Sequence, residues 1–279
     1  MTTTSDSQRL PVVSATIVLH HSDLEQLRSA VMALGRAADN FQQMVSVYFV
    51  DQSQDEVYFR AVQGLLEILG PKTYLNTYCI RRPVNNGYGA GHNSVFGLPL
   101  GEYHIVLNPD VEVDDGFFVR SCAKLSQHPD VVVLGPRGKS LTGEDEFLAK
   151  SYPSVLVLAL RAFGPAWIRR RLSNLTDRYE LRDLPTYGPL QDVPLLSGCC
   201  LYLRTEAFLS VRGFDEDFFL YFEDYDLCMR LAERGRVVVD PELTVIHHGG
   251  QASKKGWRHI LWFMQGGIRF FSRWGWRWV

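Results

Sequence analysis

The chain has 279 residues, of which 46% are apolar and 22% charged, and its formal net charge is −2. A chain of this length can bury a substantial core, and its near-neutral charge gives no global attraction to nucleic acid, which is therefore not an expected partner. Five cysteines, an odd number without a C-x-x-C pair, indicate reduced, buried thiols in a cytoplasmic protein rather than a disulfide framework or a zinc site.

Strand and helix patterns alternate through the first half of the chain. Residues 1–10 are polar and lack the layout of a signal peptide, and no later apolar run approaches the roughly 18 uncharged residues of a membrane-spanning helix. Apolar, often β-branched runs predict strands over residues 12–19, 44–50, 76–81, 103–107 and 131–134, and helical patterns predict helices from Asp23 to about residue 38, over 56–69 and near 115–127. The alternation predicts an α/β fold whose largely parallel sheet has helices on both faces.

The alternation is lost in residues 140–192, which contain four prolines and the basic run Arg169–Arg171. We expect an irregular insertion here. Order returns with a strand-like run over 193–204, which is followed by an acidic helix and by strands over 237–239 and 243–246.

Polar residues gather where the predicted strands end. Asp51 and Ser53 follow the second strand, an Asn- and Gly-rich stretch over 85–93 follows the third, and Asp110 follows the fourth. Ligands of open α/β sheets bind outside the carboxyl ends of the strands. Three such clusters in succession therefore predict a binding site at this edge of the sheet.

The glycine-rich stretch has the spacing Gly87-x-Gly89-x-Gly91, which is typical of dinucleotide-binding loops. It follows the third strand rather than the first, so this motif alone is a weak indication. A loop in which Asn86 and Asn93 flank flexible glycines better suits a close approach of the backbone to a nucleotide or a sugar.

Asp110 closes the run Asn108-Pro109-Asp110, which has the composition of an ordinary turn. The alternative is that Asp110 binds a divalent cation, because Mg²⁺ takes oxygen ligands from one or two carboxylates together with substrate phosphates. His247 or His248, at the end of another predicted strand, would add an imidazole ligand, which suits Mn²⁺ better than Ca²⁺.

The acidic helix begins in a stretch crowded with aromatic residues. Glu223, Asp224 and Asp226 fall in its first turn, where acidic residues are ordinary start signals. Five aromatic residues flank them over 218–225. A carboxylate beside apolar walls is partly desolvated, which makes it a better general base than one in bulk water.

The tail, residues 254–279, holds five of the six tryptophans. Its apolar residues fall at helical spacing: Trp257, Ile260, Leu261, Met264, Ile268 and Phe271. Its positive charge comes from Lys254, Lys255, Arg258, Arg269, Arg273 and Arg277. This pattern predicts either a helix packed on the core or an interfacial helix on an anionic membrane surface, with Arg169–Arg171 beside Trp167 as a second contact.

Together these motifs resemble inverting family-2 glycosyltransferases of the GT-A fold, in particular bacterial rhamnosyltransferases that act on lipid-linked acceptors in O-antigen or cell-wall assembly. The resemblance covers roughly residues 12–275 and depends on three runs: Tyr88-Gly89-Ala90-Gly91-His92-Asn93, Leu107-Asn108-Pro109-Asp110, and Gly213-Phe214-Asp215-Glu216 leading to Glu223-Asp224-Tyr225-Asp226-Leu227. It implies a GT-A domain over 1–250, with a donor-binding half over 12–135 and an acceptor half over 190–250. A basic aromatic helix over 251–279 would follow.

The resemblance also assigns roles to individual residues. Asp224 matches the catalytic base, with Glu223 as its partner, and Asp226 is left as an ordinary helix-start residue. Asp110 and His247 match the metal ligands for Mg²⁺ or Mn²⁺, although Asn108 replaces the first acid of the family's metal motif, a variant that related rhamnosyltransferases share. The nucleotide-sugar site implied in this way comprises Asp51, Ser53, Asn86, Gly87, Tyr88, Gly89, Gly91, Asn93 and Asn108, and the acceptor side comprises Ser197, Gly198 and Glu223.

The expected function is thus metal-dependent transfer of L-rhamnose from dTDP-L-rhamnose to a sugar on polyprenyl diphosphate. The enzyme would work at the cytoplasmic face of the inner membrane, as a peripheral protein. Alternatives are the same fold with a UDP-sugar donor, such as a hexosyl- or galactofuranosyltransferase, and a protein without turnover that binds a nucleotide sugar or a membrane surface.

Overall fold

A computed structural model describes residues 11–70, 72–249 and 256–279. The strands are β1 (Val13–Leu19), β2 (Val45–Asp51), β3 (Leu75–Arg81), β4 (Tyr103–Leu107), β5 (Val111–Val113), β6 (Val131–Lys139), β7 (Asp145–Glu146), β8 (Ala149–Lys150), β9 (Gln191–Asp192), β10 (Leu195–Leu196), β11 (Cys200–Arg204) and β12 (Arg236–His247). The helices are α1 (Leu24–Phe41), α2 (Glu56–Leu69), α3 (Tyr88–Asn93), α4 (Phe117–Gln127), α5 (Val155–Phe163), α6 (Ala166–Arg171), α7 (Ser173–Tyr179), α8 (Thr205–Ser210), α9 (Glu223–Ala232) and α10 (Trp257–Trp274).

One mixed sheet organises the chain, with the strand order β3-β2-β1-β4-β11-β6-β12-β5. Strands β1 to β4 are parallel, β11 is antiparallel to both β4 and β6, and β12 is parallel to β6. The predicted α/β architecture is confirmed. The two halves predicted from the sequence contribute strands to this same sheet, because β11 lies between β4 and β6.

The central strands β1 and β2 consist mostly of apolar and β-branched residues, and they are buried on both faces. All seven residues of β1 and all seven of β2 are buried, as expected for parallel strands covered by helices on both sides. Asp23 caps α1 by accepting hydrogen bonds from the backbone N–H groups of Glu25 and Gln26, and Asp55 caps α2 in the same way. These caps fix where the chain turns after β1 and β2.

The structure differs from the sequence prediction in four places. The glycine-rich stretch is not an open loop, because residues 88–93 form the short helix α3. The run over 193–204 is broken at residues 197–199, between β10 and β11. The two strands predicted near 237–246 are one strand, β12, whose pairing with β6 shifts register between Val239 and Thr244. The insertion contains three helices, of which α5 begins at a Ser154 cap.

The C-terminal helix α10 has two different faces. Phe270 and Phe271 are buried in an aromatic cluster with Phe218 and Phe222, and Gly266 lets the helix approach the backbone carbonyl of Tyr221. The opposite face exposes Trp257, Ile260, Leu261, Met264 and Ile268. Of the six apolar residues predicted to lie either on the core or at a membrane surface, Phe271 packs on the core and the other five face outward. Lys254 and Lys255 lie outside the described residues.

Two further properties of the described residues concern membrane spans and cysteines. No helix within 11–70, 72–249 and 256–279 combines the length and the apolar character needed to cross a membrane. Each of the five cysteines is a free thiol, three of them buried and two partly buried.

Candidate active site

A cleft of about 670 Å³ opens where β1, β2, β4 and β12 end and where α9 begins. It brings together residues that are far apart in the sequence. Nine of the predicted site residues line it: Gly87, Tyr88, Asn108, Asp110, Ser197, Gly198, Glu223, Asp224 and His247.

Asp110 and His247 meet in this cleft because β5 and β12 pair antiparallel directly after the Asp110 turn. Oδ2 of Asp110 lies 3.4 Å from Nε2 of His247, and Nδ1 of His247 lies 2.6 Å from Oε2 of Glu146. Burial alone would lower the pKa of His247, but the bonds and charges of Asp110 and Glu146 outweigh it and raise that pKa to about 9. His248, the alternative ligand, instead contacts Glu112 at 2.6 Å.

The pair Asp110–His247 fits a divalent cation that also uses substrate oxygens. Within the described ranges, no group of three or more His, Cys, Asp or Glu side chains is arranged to hold a metal ion. Mg²⁺ and Mn²⁺ sites in nucleotide enzymes commonly use one or two protein ligands together with phosphates and water. Glu146 contacts Nδ1 of His247, and such a carboxylate contact fixes the orientation of an imidazole that could bind a metal.

Asn108, which replaces an acid in the family's metal motif, is held by Tyr88. The Tyr88 hydroxyl lies 2.9 Å from Oδ1 of Asn108 and 2.7 Å from the carbonyl oxygen of Gly198. The Tyr88 ring is itself fixed edge-on against His92 and Phe214. Tyr88 therefore ties the Asp110 turn to the loop that follows β10.

Asp224 projects into the cleft from the first turn of α9. Its Oδ2 accepts a hydrogen bond of 2.8 Å from the backbone N–H of Gly198, and its Oδ1 accepts one of 2.9 Å from that of Tyr225. A Cβ atom at position 198 would lie 3.1 Å from the Cβ of Asp224, so glycine there allows the close approach. Burial raises the pKa of Asp224 to about 6, against the opposing effect of these hydrogen bonds.

Glu223 lies next to Asp224 and is 5% exposed. Its Oε2 is buried and has no hydrogen-bond partner within the described part of the chain. Burial, and then the charge of Asp224, raise the pKa of Glu223 well above its ordinary value. The raised pKa favours the protonated form of Glu223, which can donate a hydrogen bond, next to a carboxylate that can accept a proton.

The start of α9 is set by packing rather than by a side-chain cap. Tyr221 and Phe222 both adopt left-handed backbone conformations, with φ of 72° and 67°, and the helix has no side-chain cap hydrogen bond. Phe222 is buried against α10. The aromatic cluster thus determines which acidic residue faces the cleft.

Asp226 was expected to be an ordinary helix-start residue, and the structure corrects this. Its side chain is fully buried; Oδ2 accepts a 2.7 Å hydrogen bond from Arg230, and Oδ1 accepts bonds of 2.7 Å from Arg273 and 3.0 Å from Trp274. Asp226 therefore joins α9 to α10. Two of its three partners lie 47 and 48 residues further along the chain, so the local sequence does not indicate this connection.

Among the residues at the end of β2, Gln52 lines the cleft, whereas the predicted binding residues Asp51 and Ser53 do not. Its amide Nε2 donates a 2.9 Å hydrogen bond to the carbonyl of Gly87. Asp51 accepts bonds from the N–H and hydroxyl of Ser53, so these two residues bond to each other directly behind the cleft wall. At Gly87, φ is 102° and a Cβ atom would collide with the backbone of Phe219, so only glycine fits.

Four other predicted binding residues do not line the cleft. Gly89 packs against Phe214, and Gly91 packs against Gln52 and Val18. Asn93 bonds to both backbone groups of Phe214, donating to its carbonyl and accepting from its N–H, each at 2.9 Å. Asn86 is exposed, and its backbone N–H lies 3.4 Å from Oε1 of Gln52 in the cleft wall.

The cleft also contains residues that the sequence analysis did not select, among them His20, Ser22, Asp23, Gln26, Gln52, Phe219, His259 and Trp262. His20 and Ser22 follow the first strand, so the strand-end rule applied there would have found them. His259 and Trp262 belong to α10 and reach the cleft only because the tail folds back. Nothing in the local sequence indicates this.

No protein-family model matches the chain. It is 32% identical over 253 residues to N-acetylglucosaminyl-diphospho-decaprenol L-rhamnosyltransferase of Mycobacterium tuberculosis (strain CDC 1551 / Oshkosh), covering 86% of this chain and 76% of the relative. Among solved structures, it resembles the mannosyltransferase PcManGT from Pyrobaculum calidifontis in complex with GDP-Man and Mn²⁺ (TM-score 0.59, 14% identity, 94% of this chain and 65% of that one). It also resembles GalNAc-T7 with UDP, GalNAc and Mn²⁺ (TM-score 0.58, 14% identity, 86% and 44%).

The fold and the cleft define a glycosyltransferase of the GT-A fold. The predicted fold and enzyme class are confirmed. Within that class, the chain belongs to the family of bacterial rhamnosyltransferases, as its motifs indicated.

Proposed function

We propose that the protein transfers L-rhamnose from dTDP-L-rhamnose to a hydroxyl of a sugar carried on polyprenyl diphosphate, with inversion at the anomeric carbon. One observation carries the proposal: Asp224, a carboxylate with a pKa of about 6, lines the same cleft as the Asp110–His247 pair. A single displacement requires a general base for the acceptor hydroxyl and, in the same cleft, a site that stabilises the negative charge of the departing diphosphate. The Mycobacterium relative supports the sugar and the acceptor by the activity in its name.

In the proposed reaction, the acceptor hydroxyl gives its proton to Asp224 as its oxygen forms a bond to the anomeric carbon. The bond from that carbon to the diphosphate breaks on the opposite face, and the nucleotide diphosphate leaves with the electron pair. The backbone N–H groups of Gly198 and Tyr225 hold the carboxylate of Asp224 in place. In its protonated form, which burial favours, Glu223 would donate a hydrogen bond to the acceptor sugar.

Asp110 and His247 would hold Mg²⁺ or Mn²⁺ at the donor diphosphate. The cation, when bound, stabilises negative charge on the departing diphosphate as a Lewis acid. Glu146 keeps the imidazole of His247 oriented for this role. Gln52 and Gly87 form the wall of the cleft near the proposed nucleotide, with Asp51 and Ser53 behind them.

The exposed face of α10 would lie on the membrane that carries the acceptor. Its apolar residues at positions 257, 260, 261, 264 and 268 form one stripe along the helix, and Arg258 lies 5.9 Å from the ring of Trp257. Phe163 and Trp167 are also exposed, next to Arg169–Arg171. Exposed aromatic and apolar residues beside cations are typical of peripheral contact with anionic lipid, here the cytoplasmic face of the inner membrane.

The decisive experiment combines binding with turnover. Thermal shift in the presence of Mn²⁺ should show stabilisation by dTDP-L-rhamnose, and mass spectrometry should show a deoxyhexose added to a synthetic N-acetylglucosaminyl diphosphate lipid. Equal or greater stabilisation and transfer with UDP-sugars would contradict the donor assignment. Donor binding without transfer to any acceptor would favour a nucleotide-sugar-binding protein instead.

A further inference from the structure

A second groove lies beside the catalytic cleft, between residues 217–219 and α10. It has a volume of about 670 Å³, and its lining includes Phe218, Phe219, Trp262 and Ile268. Phe219 and Trp262 also line the catalytic cleft. Their ring centroids are 4.6 Å apart, so one aromatic pair is the shared wall of the two cavities.

At its other side the groove reaches the exposed apolar stripe of α10. Ile268 lines the groove, is 54% exposed and belongs to the stripe that Trp257, Leu261 and Met264 continue. The groove therefore adjoins the catalytic cleft at Phe219 and Trp262, and it adjoins the outward apolar face at Ile268.

The charges at the groove are compensated within the protein. Arg269 pairs with Asp217, and Arg273 pairs with Asp215 at 2.7 Å and with the buried Asp226 at 2.7 Å. Arginines that already have carboxylate partners offer little to a phosphate. Aromatic and aliphatic side chains between such pairs suit an uncharged hydrocarbon ligand instead.

We propose that this groove binds the first isoprene units of the lipid-linked acceptor. The proposal rests on the proposed function, because that function supplies the polyprenyl acceptor. The hydrocarbon chain enters past Ile268 from the membrane side and passes the Phe219–Trp262 pair. Its sugar is then presented to Asp224. The groove thus makes the enzyme selective for acceptors that carry a prenyl chain.

Two matched variants separate the groove from the membrane stripe. Ile268→Gln and Met264→Gln change stripe residues of almost equal exposure, 54% and 55%, but only Ile268 lines the groove. Both are assayed in solution without membranes, with N-acetylglucosaminyl diphosphate esters of farnesol and of methanol as acceptors. We expect Ile268→Gln to lower kcat/KM for the farnesyl acceptor about tenfold, equivalent to about 1.4 kcal/mol. Its kcat/KM for the methyl acceptor and both values for Met264→Gln should stay at the wild-type level.

If Ile268→Gln lowers kcat/KM equally for both acceptors, or if both variants lower it equally, the groove assignment is overturned. Binding of farnesyl diphosphate, measured by calorimetry, tests the groove without turnover: Kd should rise about tenfold in Ile268→Gln and stay unchanged in Met264→Gln. If the wild type transfers sugar to neither acceptor, the proposed function fails, and the calorimetry still decides whether the groove binds a prenyl chain. Absence of farnesyl diphosphate binding to the wild type would overturn the groove proposal alone.

Discussion

The hydroxyl of Tyr88 lies 2.9 Å from Oδ1 of Asn108 and so links the start of α3 to the turn that carries Asp110. The same hydroxyl lies 2.7 Å from the carbonyl oxygen of Gly198, whose N–H holds Asp224. The hydroxyl of Tyr88 thus contacts both the turn that carries Asp110 and the loop that positions Asp224, the proposed base. This explains why an asparagine at position 108 is compatible with an ordered site: its side chain holds the turn.

Tyr88→Phe removes this link without removing the ring. We expect kcat to fall about tenfold and the free energy of unfolding to fall by about 1 kcal/mol, the usual net value of a lost hydrogen bond. Tyr48→Phe is the matched control, because its hydroxyl donates to the carbonyl of Pro99 outside the cleft. The control should lose similar stability but keep its kcat. A kcat equally reduced in both variants would contradict the assigned role.

The rate of transfer should depend on the ionisation of Asp224. Its pKa is raised to about 6, and only the carboxylate form accepts a proton. We therefore expect kcat to fall about tenfold per pH unit below about pH 6 and to level off above it. Steady-state rates at saturating donor and acceptor measure this. A flat profile across this range would remove Asp224 from the role of base.

Asp224→Asn should abolish transfer and retain donor binding. Because the folded pKa of Asp224 exceeds the unfolded value of 3.8, its contribution to stability is full below that value and is lost as the pH rises through about 6. The melting temperature of the variant minus that of the wild type should therefore be more positive at about pH 7.5 than at about pH 4.5. A difference that is independent of pH would show that the carboxylate is not destabilised by its surroundings.

Glu146→Gln tests the metal side of the cleft. The glutamate contacts Nδ1 of His247 at 2.6 Å. Loss of a carboxylate that orients a metal-binding histidine typically weakens metal binding by about 10- to 100-fold. Binding of Mn²⁺ in the presence of the donor, followed by electron paramagnetic resonance, measures the effect. Glu144→Gln, at an exposed position two residues away, is the control and should bind Mn²⁺ like the wild type. Unchanged affinity in both variants would argue against His247 as a ligand.

Asp226→Ala tests the connection between α9 and α10. The side chain of Asp226 is 0% exposed and accepts bonds from Arg230, Arg273 and Trp274, so its removal takes a shared buried carboxylate from all three donors. We expect the free energy of unfolding to fall by about 3 kcal/mol. Asp217→Ala breaks an ion pair with Arg269 whose carboxylate is 67% exposed, and should cost about 0.5 kcal/mol. Urea unfolding measures the free energy of unfolding of both variants. Equal decreases would show that Asp226 does not stabilise the contact between α9 and α10.

The central strands could be predicted from the sequence because the spacing of apolar residues and the residue types within a strand are local properties. The runs over 12–19, 44–50 and 103–107 are almost wholly apolar or β-branched, and each became a buried strand within a residue or two of its expected bounds. The strand-end rule brought Asp110 and His247 to one cleft without any knowledge of their pairing. The insertion over 140–192 was predicted poorly, because its helices are short and partly held by the tail: the N–H groups of Val155 and Leu156 donate to the carbonyls of Arg277 and Trp278.

By itself the sequence determined the fold class, the enzyme family and the run of acids that would hold the base, since these depend on residue types at short spacing. Only the tertiary structure decided what surrounds each of these three acids. Asp224 meets Gly198 and faces the cleft, Oε2 of Glu223 is buried with no hydrogen-bond partner among the described residues, and Asp226 is bound by side chains from α10. The three share one helical turn and nearly the same local sequence. Their different surroundings come from contacts with residues 26 to 48 positions away, which local composition does not record.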